Sequence, residues 1–298
     1  VPDGVARAAF RIAGLVLEVE RGSPLADVGL PGSLAAFALK EAAGPIDISV
    51  RLEDAGCLPA LPPEDRVYDP GEIWRVFRGR DGAAFAADID YEGRESSRRP
   101  RARLMVDGTW SRARLVEIRG GGKPAPTMLT VGAGELLLRT RIIAAEGLVL
   151  HACGIDDNGR GLLIAGHSGE GKSTQAALWA AEAGVVVMNE DRVAARLSDG
   201  GAAVHGTPWG GSAGVALNHE APLAAILLIE KAHANQLLPL PPAEAIALLA
   251  ARAFLPWWDP ALLSRALDVL ERLVRRVPVF RLRCRPEPAV IPLVRAAL

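Results

Sequence analysis

The run Gly166-His167-Ser168-Gly169-Glu170-Gly171-Lys172-Ser173-Thr174 constrains this chain more than any other segment. An apolar stretch at 161–165 leads into it and an alanine-rich stretch at 173–183 leads out. This is the strand, loop and helix order that a GxxxxGK(S/T) phosphate-binding loop requires. Glycines at 166, 169 and 171 let successive backbone N–H groups curl around a phosphate. Lys172 is expected to neutralise the β- and γ-phosphates, and the Ser173 hydroxyl is expected to hold Mg²⁺. The helix N-terminus adds a favourable dipole for the anion. Ser168, Glu170 and Thr174 complete the expected nucleotide-binding set.

The second half of the chain reads as α/β around that loop. Strands are expected at 148–155 and 161–165, joined by a turn at 156–160, and again at 185–189. A hairpin over 192–205 turns at 198–201. A further apolar strand at 224–230 precedes helices at 243–254 and 260–275, a strand at 279–284 and a short terminal helix. From about residue 10 to 119 the pattern is mainly β, with strands at 15–20 and 46–52 and one helix at 33–43. Two Asp-Gly pairs, Asp81-Gly82 and Asp107-Gly108, mark hairpins over 73–90 and 101–118 with two-residue turns. The glycine- and proline-rich segment 120–126 reads as a linker, and a helix follows at 133–145. The expected organisation is a β-rich domain at 1–125, suited to substrate docking, and a phosphate-loop domain with a mixed sheet at 126–298.

The strand Val185-Val186-Val187-Met188-Asn189 ends in Glu190-Asp191, where a phosphate-loop enzyme carries a metal-binding carboxylate. The short interval between Lys172 and this strand, and the lack of a guanine-reading motif, argue against a motor ATPase or a GTPase. Three stretches, Leu150-His151-Ala152-Cys153, the loop itself, and Glu190-Asp191-Arg192-Val193, together resemble the kinase domain of HPr kinase/phosphorylase. That family shares its nucleotide-binding fold with ATP-dependent phosphoenolpyruvate carboxykinase. The resemblance continues through Val204-His205-Gly206-Thr207-Pro208-Trp209-Gly210-Gly211, where the family has a glycine-bearing signature loop, and covers roughly residues 149–230.

The resemblance implies that His151 is the active-site histidine near the γ-phosphate. It also implies that Glu190 is the general base and Asp191 a Mg²⁺ ligand. The family has Asp-Asp where this chain has Glu-Asp, and matching that pair needs one extra residue after Lys172. A gapless alignment instead brings Asn189 and Glu190 into register, whereas Arg192-Val193 continue the match to Glu190-Asp191. The implied activity is transfer of the γ-phosphate of ATP, with Mg²⁺, to a hydroxyl, that of serine foremost, on a peptide or small protein. Relatives that phosphorylate ribosomally made peptides, lasso-peptide precursors among them, give that expectation a substrate class. Resemblance to a hexameric family implies self-association. The alternatives are a small-molecule kinase and a nucleotide-binding regulatory module without turnover.

Outside the loop the signals are weaker. His205, Gly206 and Trp209 are expected to line the acceptor site. With a two-residue turn at Asp107-Gly108, Arg103 would face Arg112 and Arg101 would face Arg114, whereas Arg75 would face Asp88. Like charges opposite one another need a compensating anion. With Arg98 and Arg99 nearby, this predicts a basic stripe that docks an acidic peptide. His205, His219 and His233 recur every fourteen residues, a spacing unsuited to a zinc knuckle. Cys57, Cys153 and Cys284 form no CxxC pair and read as free thiols.

Half of the 298 residues are hydrophobic and 23% are charged, which excludes a disordered tail or a disulfide-stapled miniprotein. A net charge of -1 gives no global drive toward nucleic acid or anionic lipid. The longest stretch without Asp, Glu, Lys or Arg, 200–219, carries six glycines and two histidines, so no membrane span is expected. The chain opens at Val1 without a signal-peptide pattern, and a cytoplasmic protein is expected.

Overall fold

The computed structural model describes residues 6–21, 32–40, 44–71, 74–79, 82, 84–89, 100–118 and 132–298. Asp81, Arg98, Arg99 and the 120–126 linker lie outside the described residues. The protein is mixed α/β and divides into two compact units, Val1–Arg141 and Ile142–Leu298. The division falls later than the 125/126 boundary expected from sequence, so the helix that follows the linker belongs to the first unit.

Among the described residues of the first unit, nine strands form one sheet: β1 (Ala6–Ile12), β2 (Leu15–Arg21), β3 (Ala38–Leu39), β4 (Ile48–Ala55), β5 (Arg66–Tyr68), β6 (Trp74–Arg78), β7 (Phe85–Ile89), β8 (Ala102–Val106) and β9 (Arg112–Ile118). Their order is β3-β1-β2-β4-β9-β8-β7-β6-β5. β4 pairs parallel with both β2 and β9. Along β4, Ile48, Val50 and Leu52 are buried while Ser49 and Arg51 are exposed, the period-two alternation of a strand with one face covered. The described residues of this unit also include the helices α1 (Gly32–Ala35) and α2 (Ala133–Arg141). The helix expected over 33–43 stops at Ala35, because Ala38–Leu39 pairs with β1 instead.

The two Asp-Gly hairpins differ. β6 and β7 keep the expected register, with Arg75 opposite Asp88. β8 and β9 do not: their loop is Gly108 to Ser111, closed by the Asp107 amide donating to the Arg112 carbonyl at 3.1 Å. The Asp107 carboxylate accepts from the Ser111 and Arg112 amides at 2.9 and 3.2 Å. Burial would raise its pKa, but the bonds from Arg112, Thr109 and Ser111 outweigh this and hold it below the ordinary value. Trp110 takes the left-handed conformation, φ 57°, and buries its side chain. The longer loop moves Arg103 opposite Val116 and Arg114 opposite Met105. Arg103 is buried and forks onto Asp88, Nε to Oδ1 at 2.6 Å and Nη2 to Oδ2 at 3.2 Å. Arg114 pairs with Glu53 at 2.7 Å. The expected facing pairs Arg103–Arg112 and Arg101–Arg114 are therefore not formed: Arg103 is buried, while Arg101, Arg112 and Arg114 stay exposed.

The second unit is built on two long strands, β10 (Gly147–Asp157) and β15 (Glu220–Lys231), with β11 (Arg160–Ala165), β12 (Val185–Asn189), β13 (Arg192–Ser198), β14 (Gly201–Gly206), β16 (Gln236–Pro239) and β17 (Val279–Cys284). The first halves of β10 and β15 flank the β13–β14 hairpin. Their later halves flank β11, antiparallel to β10 and parallel to β15. β11 and β15 are apolar on both sides because both faces are covered. Leu163, Ile226 and Leu228 face α4 (Pro242–Ala250) and α5 (Pro260–Arg276), through Leu249, Val269, Leu270 and Leu273. Leu162, Ile164, Ala225 and Leu227 face α3 (Lys172–Ala180) and α6 (Val290–Arg295), through Ala176, Trp179, Val290 and Val294.

The helix ends follow local rules. Asp259 caps α5, accepting from the Ala261 and Leu262 amides, with Pro260 in the first helical turn. No described helix is long and apolar enough to cross a membrane.

Candidate active site around the phosphate loop

Asn158-Gly159 turns β10 back into β11 with both residues at positive φ, 53° and 88°. The register sets Ala152 opposite Ala165, so His151 stands level with Gly166, where the loop begins. Gly169 and Gly171 take φ of 81° and 112°, which lets the backbone turn into α3 at Lys172. Gly166 is fixed by space, since a Cβ there would meet Ile229 Cγ2 at 2.5 Å. Helix α3 is anchored by fully buried Trp179, over whose ring Arg295 lies at 5.5 Å. Arg295 forks onto buried Asp157 at 2.9 and 3.0 Å and reaches Glu182 at 2.8 Å. That hydrogen bonding by Arg295 leads the effects that lower the Asp157 pKa.

Lys172 is 7% exposed, and its ammonium donates to the loop carbonyls of Gly166 at 2.9 Å and His167 at 3.1 Å. Burial pulls its pKa below the ordinary lysine value, while Asp191 and Glu170 push the other way. β12 delivers the acids. Asn189 is fully buried, donates to the Thr207 and Trp209 carbonyls, and accepts from the Asp191 and Arg192 amides. It spends its polar groups on the turn, and Glu190 and Asp191, not Asn189, line the pocket.

Glu190 accepts the Ala213 amide at 3.0 Å on one oxygen and the Val215 amide at 3.1 Å on the other. Asp191 meets His151 Nε2 at 2.9 Å and also pairs with Arg192. The hydrogen bond from His151, ahead of the charge of Arg192, holds the Asp191 carboxyl below its usual range despite burial. His151 sits opposite Arg192 across β10 and β13 and packs against Phe254, ring centres 6.5 Å apart.

The pocket thus joins His151, Glu190 and Asp191 to Ser168, Gly169, Gly171, Lys172, Ser173 and Thr174, with Gly211 and Ser212 also on its wall and Gly211 against the acid pair. Gly166 and Glu170 do not line it. Glu170 instead turns its carboxylate to the His167 amide, with Arg252 Nη2 at 3.7 Å. Three residues expected at the acceptor site also stand elsewhere. His205 is buried against Glu220 at 3.1 Å, and burial lowers its pKa. A Cβ at Gly206 would meet the Leu217 carbonyl at 2.0 Å, so this glycine serves close packing. Trp209 is buried, at 3% exposure. The segment does reach the pocket, five residues past Gly206, at Gly211 and Ser212.

Sequence reasoning missed Arg252. It lies just after α4, its carbonyl accepts the His151 amide at 2.8 Å, and its side chain is 10% exposed. Its charge opposes that of Lys172, so a second buried cation stands beside the loop. No motif announces it, eighty positions from the lysine. Cys153 lies beneath the pocket, and burial followed by the charge of Glu190 pushes its thiol far up, so it stays protonated.

Among the described residues no group of three or more His, Cys, Asp or Glu gathers as a metal cage. The donors present suit Mg²⁺, which takes one or two protein oxygens and completes its shell with phosphate and water. The Ser173 hydroxyl and a charged Asp191, each oxygen keeping a second lone pair, are such a set. No protein-family model matches the chain, and no curated protein matches it.

Proposed function

We propose that the chain is a phosphotransferase with an HPr-kinase-like phosphate-loop domain, moving the γ-phosphate of ATP to a serine hydroxyl of a peptide or small protein. One observation carries the reading: His151, Lys172, Glu190 and Asp191 converge on a single pocket at the N-terminus of α3. Phosphoryl transfer needs little covalent help from protein and much positioning and charge. Loop amides and Lys172 hold the phosphates. Lys172 puts positive charge where the transferring group gathers negative charge, the Arg252 guanidinium adds to it from beside the loop, and His151 offers a ring nitrogen on the pocket wall. Glu190, fixed by two backbone amides, takes the proton from the acceptor hydroxyl. Asp191 orients His151, and Ser173 and Asp191 would hold Mg²⁺. Mg²⁺ held there would supply positive charge that offsets the negative charge of the phosphates. Gly211 and Ser212 form the wall on which the acceptor lies.

The test is mass spectrometry of hydroxyl-bearing peptides, precursor peptides encoded beside this protein among them, after incubation with Mg²⁺ and ATP. A phosphate adduct on serine is expected, absent with Glu190→Gln. A peptide left unmodified while small hydroxyl compounds are phosphorylated would move the acceptor class to metabolites.

A further inference from the structure

This inference rests on the phosphotransferase reading and concerns Glu170, an acid inside a loop built to hold an anion. A carboxylate there would repel phosphate if it did nothing else. Its Oε2 accepts the His167 amide and lies 3.7 Å from Arg252 Nη2. The first glycine of the loop leaves it room, since a Cβ at Gly166 would meet that oxygen at 2.8 Å.

Arg252 is held at its base and at one guanidinium nitrogen. Its carbonyl accepts from His151, and the Phe254 amide donates to Val149 at 3.0 Å, which pins the backbone to β10. Nη1 donates to the Leu248 carbonyl at 2.7 Å. Nε is buried without a hydrogen-bond partner. The side chain is nine-tenths buried, and the Glu170 carboxylate approaches only its Nη2, at 3.7 Å. An arginine with spare donors in a dry setting waits for more acceptors than the fold supplies.

We infer that Glu170 is a positioning residue, holding the Arg252 guanidinium against the phosphate loop so that it reaches the terminal phosphate of a nucleoside triphosphate. Two accounts of this acid give opposite signs. A merely repulsive Glu170 makes its neutral variant bind nucleotides more tightly. A positioning Glu170 makes that variant lose the contact that distinguishes a triphosphate from a diphosphate. Glu170→Gln keeps an oxygen for the His167 amide, so the loop keeps its shape while the charge facing Arg252 is gone.

The experiment is calorimetric titration with Mg²⁺/ATP and Mg²⁺/ADP of the wild type, Glu170→Gln, Arg252→Gln and the double variant. In Glu170→Gln the preference for ATP over ADP should fall about tenfold, within the usual range of coupling between sites. The double variant should be no weaker than Arg252→Gln alone, because the two residues act as one unit. Tighter binding of both nucleotides by Glu170→Gln, or losses that multiply in the double variant, overturns the inference. If Arg252→Gln does not fold, Arg252→Lys takes its place, keeping the charge without the fork, and should likewise lose its dependence on Glu170. A wild type that binds neither nucleotide removes the phosphotransferase reading and this inference with it. A wild type that binds ATP while Glu170→Gln leaves the preference unmoved removes the inference alone.

Discussion

Arg103 in the first unit and Arg252 in the second are both buried arginines that meet a carboxylate, and they are held in opposite ways. The Arg103 fork closes on Asp88 with Nε at 2.6 Å, and both side chains are at most 7% exposed. Arg252 keeps its acid at 3.7 Å and leaves Nε without a partner. A closed buried pair has returned its desolvation cost within the fold and has little left to offer a ligand. An open one keeps donors and charge for something that arrives. The same contrast separates His205, neutral and packed against Glu220, from His151, whose Asp191 partner stays charged on the pocket wall.

Four perturbations sharpen or break this contrast. Lys172→Ala, at the open site, should lower phosphoryl transfer by about a thousandfold or more while the melting temperature barely moves, as removal of a transition-state charge contact does. Asp88→Asn, at the closed site, should destabilise the first unit by about 3–5 kcal/mol, because it strands a buried guanidinium. Denaturant unfolding measures that loss, and Asp88→Leu with Arg103→Met should recover most of it.

The third perturbation is acid. Burial lowers the folded pKa of His205, so its contribution to stability is present above the ordinary histidine value of about 6.5 and is lost as pH falls toward the lowered value. Glu220 and Arg196 surround it. Thermal melts between about pH 7 and 5 should show a decline that His205→Gln flattens. The smallest effect is expected for Arg112→Glu. This residue is exposed and stands opposite Ser49, so stability should change by less than about 0.5 kcal/mol. Phosphoryl transfer to peptide should not change at all. A large loss of transfer would make this face of β9 a docking surface even without the facing arginine pairs.

The two halves also differ in how far the sequence discloses them. The phosphate loop is contiguous: its glycines, lysine and hydroxyls are neighbours in the chain, and the backbone they require is local. The β12 acids stood out because they follow the end of that strand, whereas His151, midway along β10 and level with the start of the loop, stood out only through the family resemblance. The β8–β9 hairpin turned on a competition among local conformations. Asp107-Gly108 suits a two-residue turn, but Asp107 gathers four groups from Thr109, Ser111 and Arg112, and Trp110 buries its ring by adopting positive φ. Two extra loop residues moved every pair on the ladder and gave Arg103 a different partner.

Arg252 was invisible for another reason. Its place beside Lys172 follows from where α4 ends against β10, a tertiary fact with no local signature. Gly211 and Ser212 reach the pocket because Asn189 and Glu190 tie down the chain on either side of them. A fully buried asparagine at the end of a strand, just before an acid pair, is the one local sign of that tie.

The most direct test uses ATP labelled in its γ-phosphoryl oxygens, Mg²⁺ and a serine-bearing peptide, with wild type and folded Lys172→Ala side by side. The account predicts labelled phosphate on the serine hydroxyl with the wild type and none with the variant. Label released only as inorganic phosphate, or carried to the peptide equally by both proteins, would contradict it.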